Sequence, residues 1–164
     1  MRTPELALAS RRHKATVLVV TRDAFAASYV AGDLDLARSL YAPTRMHWER
    51  VETVAESFGD LDPKLDLREA DLEEGQEWTG WHAIEKDLWP QDADAGFQTY
   101  DQAKRERLAE LLVTDTLTLQ SNVQDLTFDL TQLTNGDGHV ASITAKATDN
   151  STDVPLFIVC RTSD

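Results

Sequence analysis

Cysteine is nearly absent from the chain, which has one, Cys160, among 164 residues. A single thiol excludes an intrachain disulfide, a cysteine-based zinc site and a CxxC redox pair. Long apolar runs are absent as well, since no stretch reaches the roughly 18 residues that a membrane-spanning helix needs. The apolar run 15–20 follows basic residues but is too short for a signal peptide, so we expect no export signal in the chain as written.

Basic residues are scarce. The chain has 16 lysines and arginines against 29 aspartates and glutamates, which gives a formal net charge of -13. A field of this sign repels nucleic acid and anionic lipid, and it attracts cations. Solubility alone also explains such acidity, so the charge narrows the range of partners without fixing the function.

Several catalytic patterns are missing. The sequence has no HExxH zinc-protease motif, no Gly-rich phosphate loop of the common types and no GxSxG nucleophile elbow. Cys160 lies in an apolar run near the C-terminus, which is a poor environment for an activated nucleophile. These absences favour a binding protein over an enzyme.

The first half of the chain has helical patterns. Residues 1–14 form a basic lead that we expect to be unstructured, and 15–31 form an apolar, alanine-rich segment that predicts a helix. Asp33 then stands where a helix N-cap belongs. Residues 34–58 place apolar side chains at spacings of three, four and seven, which predicts an amphipathic helix that Pro43 should kink or restart.

The middle of the chain alternates acidic and helical segments. Residues 60–78 are acidic and aperiodic, which predicts a loop with at most short helical turns. A short helix is predicted over 80–89. A leucine pattern predicts a long helix over 102–126, with Thr99 or Asp101 as its N-cap.

The pattern changes beyond Leu126. Threonine and aspartate become dense, 135–138 is a strong turn signal, and 154–160 is a short β-prone apolar run. We therefore predict an all-α helical bundle over 15–135. An irregular or β-prone tail, which can form a hairpin, follows over 136–164.

His82 and Glu85 stand three residues apart in the predicted helix 80–89. At this spacing the two side chains project in neighbouring directions and can bind one cation together. An imidazole with a carboxylate suits iron, zinc or copper more than calcium. The same spacing is common in surface pairs and in hydrogen-bonded core histidines, so the pair alone leaves its role open.

Glu49 and Glu52 repeat this spacing on another predicted helix. Two such pairs facing each other would resemble the carboxylate and histidine sites in the cores of helical bundles. On a regular helix, however, Glu49 falls opposite the stripe formed by Val51, Ala55 and Phe58, and Glu52 lies at its margin. Periodicity therefore favours a solvated face for Glu49.

The acidic loop joins these two predicted helices and has seven carboxylates before Gly75: Asp60, Asp62, Asp66, Glu69, Asp71, Glu73 and Glu74. A run of this kind is usually solvated surface. Its position between the two pairs also allows it to fold over a site and supply a further oxygen ligand.

Four short strings follow one another in an order that resembles a known family. They are AGDL and LYAPTR at 31–34 and 40–45, HWERVE at 47–52, and EWTGWHAIEK at 77–86. Together they resemble the first half of the EfeO/EfeM domain, also called imelysin-like or peptidase-M75-like, from about 23–135. The resemblance implies an all-α fold of four-helix bundles, here partial, and an extracytoplasmic component of bacterial iron uptake.

The resemblance also implies a metal site. The family signature GxHxxE is matched at residues 80–85, and three acidic positions match the metal cleft. The implied ligands are His82, Glu85, Glu49, Glu52 and Asp66. Iron, as Fe2+ or Fe3+, is the implied cargo, with zinc and copper as alternatives.

A membrane iron permease and a peroxidase-type protein are the implied partners. The family is periplasmic or in the cell envelope and includes lipoproteins. Without an export signal the chain as written would be cytoplasmic.

The chain also departs from the family, whose domain is longer. Its second helical half has no counterpart here, nor does a cupredoxin-like domain accompany the chain. Two alternatives to an iron carrier follow: a zinc-dependent metallopeptidase of the imelysin-like family, or a non-functional truncated fragment. The peptidase alternative lacks a recognisable third zinc ligand and water-activating base in the sequence.

Overall fold

The computed structural model describes residues 4–55, 57–93, 95–128, 143–146 and 153–156. Its helices are α1 (Pro4–Val30), α2 (Leu34–Glu49), α3 (Glu52–Ala55), α4 (Leu61–Asp66), α5 (Gly80–Leu88) and α6 (Gln102–Asp125). Short 3-10 helices span Glu69–Asp71 and Pro90–Asp92. Three strands follow, β1 (Thr127–Phe128), β2 (Ile143–Lys146) and β3 (Asp153–Leu156). Within these ranges, no helix is both long and apolar enough to cross a membrane.

Helix α1 is longer than the sequence pattern predicts. The expected unstructured lead over 1–14 is wrong from Pro4 onward, because the helix begins there and buries Leu8 in the core. The Arg12 guanidinium donates to the Leu126 carbonyl at 2.7 Å, which fixes this end of α1 against the end of α6. Tertiary packing therefore stabilises a helical turn that the local sequence does not mark.

The turn between α1 and α2 follows the prediction. Gly32 has a φ of +74°, a left-handed conformation that glycine adopts without steric strain. The Asp33 carboxylate accepts a hydrogen bond from the Leu36 N–H at 3.1 Å and so caps α2.

Helix α2 continues through Pro43, so the alternative of a restart at that residue is wrong. Pro43 lies on the exposed face of α2. The buried face consists of Ala37, Tyr41, Thr44 and Trp48. The predicted single helix over 34–58 is instead two helices, α2 and α3, with a turn between them.

The later helices lie close to their predicted positions. The acidic segment 60–78 contains α4 and one 3-10 helix, in agreement with the predicted short turns. Helix α5 ends at Leu88, before Pro90. Helix α6 is capped by Asp101, whose carboxylate accepts the Lys104 N–H at 2.8 Å.

Helix α1 is the centre of the bundle, packing along α2 and α6, while α5 contacts α2, α4 and α6. An aromatic cluster fills the space between α1, α2 and α5. The Phe25 ring centroid lies 5.8 Å from that of Tyr41 and 5.6 Å from that of Trp81, and all three side chains are buried. The predicted all-α bundle is confirmed.

A buried carboxylate connects three parts of the bundle. Asp87 on α5 is fully buried and accepts hydrogen bonds from the Tyr29 hydroxyl and from Arg105 Nε, each at 2.8 Å. Its other oxygen accepts the Tyr100 N–H at 2.7 Å. Because these donors come from α1, α6 and the segment before α6, Asp87 fixes the position of α5.

The three strands form an antiparallel sheet in the order β1-β2-β3. Only β2 and β3 lie in the predicted tail, because β1 falls within the range predicted to be helical. Thr127 pairs with Lys146 at its first register position. The predicted turn at 135–138 lies outside the described residues, and the predicted strand run 154–160 is described only to Leu156. The predicted β-prone tail over 136–164 therefore remains a prediction.

Candidate metal centre

Two of the predicted ligands lie at the turn between α2 and α3. Glu49 is the last residue of α2, and Glu52 is the first of α3. Trp48 directly precedes Glu49, and Val51 directly precedes Glu52. Both side chains are fully buried and anchor the turn. The Glu49 side chain is 51% exposed, so the two carboxylates lie at the surface of the bundle rather than in its core.

Asp66, the last residue of α4, completes a cluster with these two glutamates. Leu61 and Leu65 are buried and hold α4 against the bundle. One oxygen from each of Glu49, Glu52 and Asp66 lies within 4.8 Å of the others. Since metal–oxygen distances are about 2.0–2.6 Å, oxygens on opposite sides of one ion lie about 4–5 Å apart. The three carboxylates can therefore bind one cation together.

Asp66 is held from two directions. The Arg45 guanidinium donates to both of its carboxylate oxygens, and the Nη2–Oδ2 distance is 2.9 Å. The Trp48 indole Nε1–H donates to Oδ2 at 3.0 Å. A carboxylate has about four acceptor sites, and these bonds use three of them. Asp66 therefore anchors the cluster and has limited further capacity for a cation.

The start of α5 lies directly against the end of α4. Gly80 has a φ of +79°, and a Cβ at this position would lie 2.2 Å from the Leu65 carbonyl oxygen. Thr79 occupies the N-cap position of α5, but its hydroxyl donates to a carbonyl of α4 at 2.9 Å rather than capping its own helix. This close approach brings His82 on α5 next to Asp66.

The His82 ring lies between two carboxylates. Its Nε2 is 3.5 Å from Asp66 Oδ1, and its Nδ1 is 2.9 Å from Glu85 Oε2. When Nδ1 carries a proton and donates it to Glu85, Nε2 is left with the lone pair that a metal requires. Glu85 therefore orients the imidazole toward the cluster.

The predicted ligands thus form two groups. Glu49, Glu52 and Asp66 converge, and His82 lies at the edge of this cluster. Glu85 lies on the far side of the His82 ring, where it lines a separate cavity. The structure thus brings together three of the five predicted residues, with His82 beside Asp66 and Glu85 behind the histidine.

Two cavities meet at His82. The smaller, of about 310 Å³, contains the carboxylate cluster, and its charged walls are Arg45, Glu49, Glu52, Asp62, Asp66, Arg68 and Asp71. The larger, of about 820 Å³, has aromatic walls formed by Tyr41, Trp78 and Trp89. The first cavity has the charge and size for a hydrated cation, and the second is within the size range of small-molecule sites.

The pKa values of Glu52 and Arg45 in the cluster are both raised, but for different reasons. Burial, followed by the negative charges of Asp66 and Glu49, raises the pKa of Glu52 above its usual range. Burial lowers the pKa of Arg45, but its hydrogen bond and ion pair with Asp66 and the charge of Glu49 outweigh this effect and raise it overall. Arg45 is therefore fully charged at neutral pH, whereas Glu52 experiences an excess of negative charge that a cation would relieve.

Sequence reasoning missed Arg45 and Trp48 as parts of the site. The spacing of Arg45 and Glu49, i and i+4 on one helix, was a readable signal, and the Arg45 Nε to Glu49 Oε1 distance is 3.0 Å. The contacts of Arg45 and Trp48 with Asp66 had no such signal, because they depend on where α4 packs.

Comparison with known proteins defines the class of this chain. The family model described as imelysin, peptidase M75, matches residues 7–152. The chain belongs to the imelysin family. The matched range begins within the expected lead and ends within the expected tail.

Similar curated proteins are named as iron-uptake components. The chain is 44% identical over 114 residues to the iron uptake system component EfeO of Yersinia pestis, which covers 68% of this chain and 28% of that protein. It is 39% identical over 124 residues to EfeO of Escherichia coli, covering 74% and 31%. For EfeM of Bacillus subtilis the identity is 39% over 106 residues, covering 65% and 26%. The matched region therefore spans less than a third of the length of these relatives.

Proposed function

We propose that this chain captures an iron ion in its acidic cavity as part of bacterial iron uptake, and that it acts as a carrier rather than as an enzyme. The observation that carries the proposal is the convergence of Glu49, Glu52 and Asp66 within 4.8 Å, with His82 Nε2 3.5 Å from Asp66. The similarity to proteins named as iron-uptake components supports the choice of cargo.

The residues of the site have different roles in this proposal. Glu49 and Glu52 bind the ion directly, since their carboxylates converge at the turn between α2 and α3. Asp66 contributes one oxygen and orients the cluster through its bonds to Arg45 and Trp48. His82 is the nitrogen ligand, and Glu85 holds its ring in position.

The donor set supports a choice among ions. Carboxylate oxygens are hard ligands that favour Fe3+, whereas one imidazole broadens the range toward Fe2+, zinc and copper. Iron, as Fe2+ or Fe3+, is therefore the proposed cargo, and zinc and copper are the competing ions.

The proposed setting follows the relatives. We place the chain in the periplasm or cell envelope, with a membrane iron permease and a peroxidase-type protein as partners of the same uptake system. The helical part, up to about residue 135, would hold the ion, and the tail over 136–164 would form a separate region of the chain.

Thermal unfolding with and without metal tests this proposal. A cation that binds the native state at 100 times its dissociation constant stabilises the protein by about 2.7 kcal/mol. We expect Fe2+ under anaerobic conditions to raise the melting temperature of the unmodified chain. Glu49→Gln removes one ligand charge with little change in shape and should abolish most of the increase.

Glu74→Gln is the matched control for this experiment, because Glu74 is an exposed carboxylate of the acidic segment and does not line the cluster cavity. It should leave the metal-induced shift intact. Equal losses in both variants would show that diffuse surface charge, not the cluster, attracts the ion. A cooperatively folded chain that no metal stabilises would contradict the carrier function.

The family name favours one alternative, a zinc-dependent metallopeptidase. In that case the His82–Glu85 pair would serve catalysis, and a zinc-loaded sample would cleave an unfolded protein substrate. Glu85→Gln should then abolish cleavage, whereas in a carrier it should weaken binding by loosening the His82 ring. A non-functional fragment would show neither cleavage nor metal-dependent stabilisation.

A further inference from the structure

Two side chains line both cavities of the candidate metal centre. They are Arg68 and His82, so the cavity with aromatic walls and the cavity with the carboxylate cluster meet at these residues. His82 Nε2 lies 3.5 Å from Asp66 Oδ1, at the edge of the cluster. A molecule in the aromatic cavity that contacts Arg68 and His82 therefore lies next to an ion held by the cluster.

The aromatic walls offer apolar rings whose polar atoms are already in use. The Trp78 indole N–H donates to the Leu67 carbonyl at 2.8 Å, and the Tyr41 hydroxyl donates to the Trp81 carbonyl at 3.4 Å. Trp89 packs against Tyr41 with its ring centroid 5.3 Å away, and Trp78 and Trp89 are only partly buried. With a volume of about 820 Å³, this cavity suits a small ligand that has a flat, apolar ring.

The charged walls of the aromatic cavity differ in how they are paired. These walls are Arg68, Glu69, Glu85, Lys86 and Asp92. Lys86 Nζ donates to Glu69 at 2.7 Å, and Glu85 Oε2 lies 2.9 Å from His82 Nδ1. Asp92 accepts a hydrogen bond from the Gln91 side-chain amide at 3.3 Å.

Arg68 differs from these groups. Its side chain is exposed and makes no hydrogen bond or ion pair with any residue in the described ranges. A guanidinium presents five N–H donors in a planar fork, which binds a carboxylate through two parallel hydrogen bonds. The aromatic cavity therefore has an apolar surface for a ring and, at its border with the cluster, a donor group for an acid.

The cluster supplies fewer donors than its ion can take. The four candidate donors are one oxygen each of Glu49, Glu52 and Asp66, and Nε2 of His82. Ions such as Fe2+ and Mn2+ commonly take six donors in octahedral geometry. Two positions remain, and a ligand with two neighbouring oxygens fills them. Arg68 also lines the cluster cavity, so an acid held by its guanidinium lies close to these positions.

We propose that the aromatic cavity binds a small aromatic acid with a hydroxyl next to its carboxylate, and that this acid and the carboxylate cluster bind one cation together. The ring packs against Trp78 and Trp89. One carboxylate oxygen accepts hydrogen bonds from Arg68, and the other oxygen, with that of the hydroxyl, completes the coordination of the ion. The inference rests on the proposed function and extends it, since the cargo becomes a cation with its organic chelator.

Calorimetric titration of the whole chain tests this inference, with salicylate as the probe and Mn2+ as a redox-stable cation. Mn2+ should raise the association constant for salicylate at least about fivefold, and by linkage salicylate should raise that for Mn2+ by the same factor. Benzoate has the ring and the carboxylate but lacks the hydroxyl, so it should bind with no such dependence on Mn2+. A titration without protein corrects for the complex that salicylate and Mn2+ form in solution.

Two variants test the residues that would hold the acid. Arg68→Gln should lower the association constant for salicylate about tenfold without weakening the binding of Mn2+ alone. Trp89→Leu keeps an apolar side chain but removes the ring, and it should lower this constant at least about twofold. Arg50→Gln is the matched control, since Arg50 is exposed, contacts Met46 Sδ and lines neither cavity. An unchanged affinity for salicylate in Arg68→Gln overturns the inference.

The outcomes separate the inference from the function on which it rests. A chain that binds Mn2+ or Fe2+ but not salicylate keeps the proposed function and contradicts the inference. Binding of salicylate that does not depend on Mn2+ also contradicts it, because the acid and the cluster then do not share an ion. A chain that binds salicylate through Arg68 but neither cation contradicts the proposed function, and the shared coordination fails with it.

Discussion

The charge of Glu52 should favour cation binding but lower the stability of the metal-free protein. Burial and the neighbouring carboxylates Asp66 and Glu49 raise its pKa above the usual value of 4.5. A carboxyl group whose pKa is raised on folding binds protons more readily in the native state than in the unfolded state. Its contribution to stability therefore falls as the pH rises from about 4.5 through the raised value, and at neutral pH it destabilises the metal-free protein.

Replacing Glu52 by Gln should therefore have opposite effects on the two properties. The free energy of unfolding of the metal-free protein should rise by on the order of 0.5 kcal/mol at pH 7, because the repulsion with Asp66 and Glu49 is removed. Stabilisation by Fe2+ should fall, because one ligand is lost. Urea denaturation at pH 4 and pH 7, with and without metal, measures both effects.

The gain in metal-free stability should be larger at pH 7 than at pH 4, because protonation of Glu52 at lower pH removes the repulsion that the substitution relieves. A Glu52→Gln variant that is less stable at pH 7 than the original would show that the carboxylate makes a favourable contact in the absence of metal. Unchanged stabilisation by Fe2+ would remove Glu52 from the ligand set.

At the scale of secondary-structure elements, the site depends on one helix-to-helix approach. Gly80 lets the first turn of α5 lie against the end of α4, because a Cβ there would meet the Leu65 carbonyl at 2.2 Å. The Trp78 indole donates to the Leu67 carbonyl at 2.8 Å and strengthens the same junction. Asp66 on α4 and His82 on α5 are neighbours for this reason.

Gly80→Ala should disrupt this junction. The positive φ and the contact with Leu65 should together lower the free energy of unfolding by at least about 2 kcal/mol. The loss of metal-induced stabilisation should be larger still, since His82 would move away from Asp66. Chemical denaturation and metal titration of the same sample measure the two losses.

Gly75→Ala is the matched control, because Gly75 has a similar φ of +82° but open space where the Cβ would lie. It should show the strain of the left-handed backbone without the clash, and it should leave the metal site unchanged. Equal effects of the two substitutions would mean that the approach of α5 to α4 is not required.

At the scale of the whole molecule, the buried carboxylate Asp87 on α5 connects this helix to α1 and α6. It accepts hydrogen bonds from Tyr29 on α1, Arg105 on α6 and the Tyr100 backbone. The Tyr100 ring lies close to this charge, and burial together with Asp87 raises the pKa of its hydroxyl to about 12. This network lies outside the carboxylate cavity and fixes the position of α5, the helix that carries His82.

Asp87→Asn should destabilise the protein by about 3 kcal/mol, because it leaves the charge of Arg105 without its buried partner. Denaturation by urea should show an earlier midpoint. Asp35→Asn is the control, since the Asp35 carboxylate is almost fully exposed in its pair with Arg38 and should change stability by less than about 0.5 kcal/mol. A small effect at Asp87 would show that the network is not needed for stability.

The sequence by itself determined the class of fold and named the candidate ligands. Helical periodicity and caps such as Asp33 and Asp101 act over a few residues, so they can be read from the chain. The spacing of His82 and Glu85 likewise predicted that the two side chains would contact each other, and their 2.9 Å separation agrees. The continuous α2 through Pro43 and the helical start of α1 were not readable, because packing against the bundle overrode the local signals.

Only the tertiary structure decided which of these groups share a site. The contact of Arg45 with Asp66 and the approach of Gly80 to Leu65 join residues that are 21 and 15 positions apart in the sequence. Such contacts result from how α4 packs against α3, α5 and α6. This packing is the sum of many weak apolar contacts rather than a property of any short segment. For this reason the sequence could name Glu49, Asp66 and His82 as candidates, and the fold decided that they meet around a guanidinium.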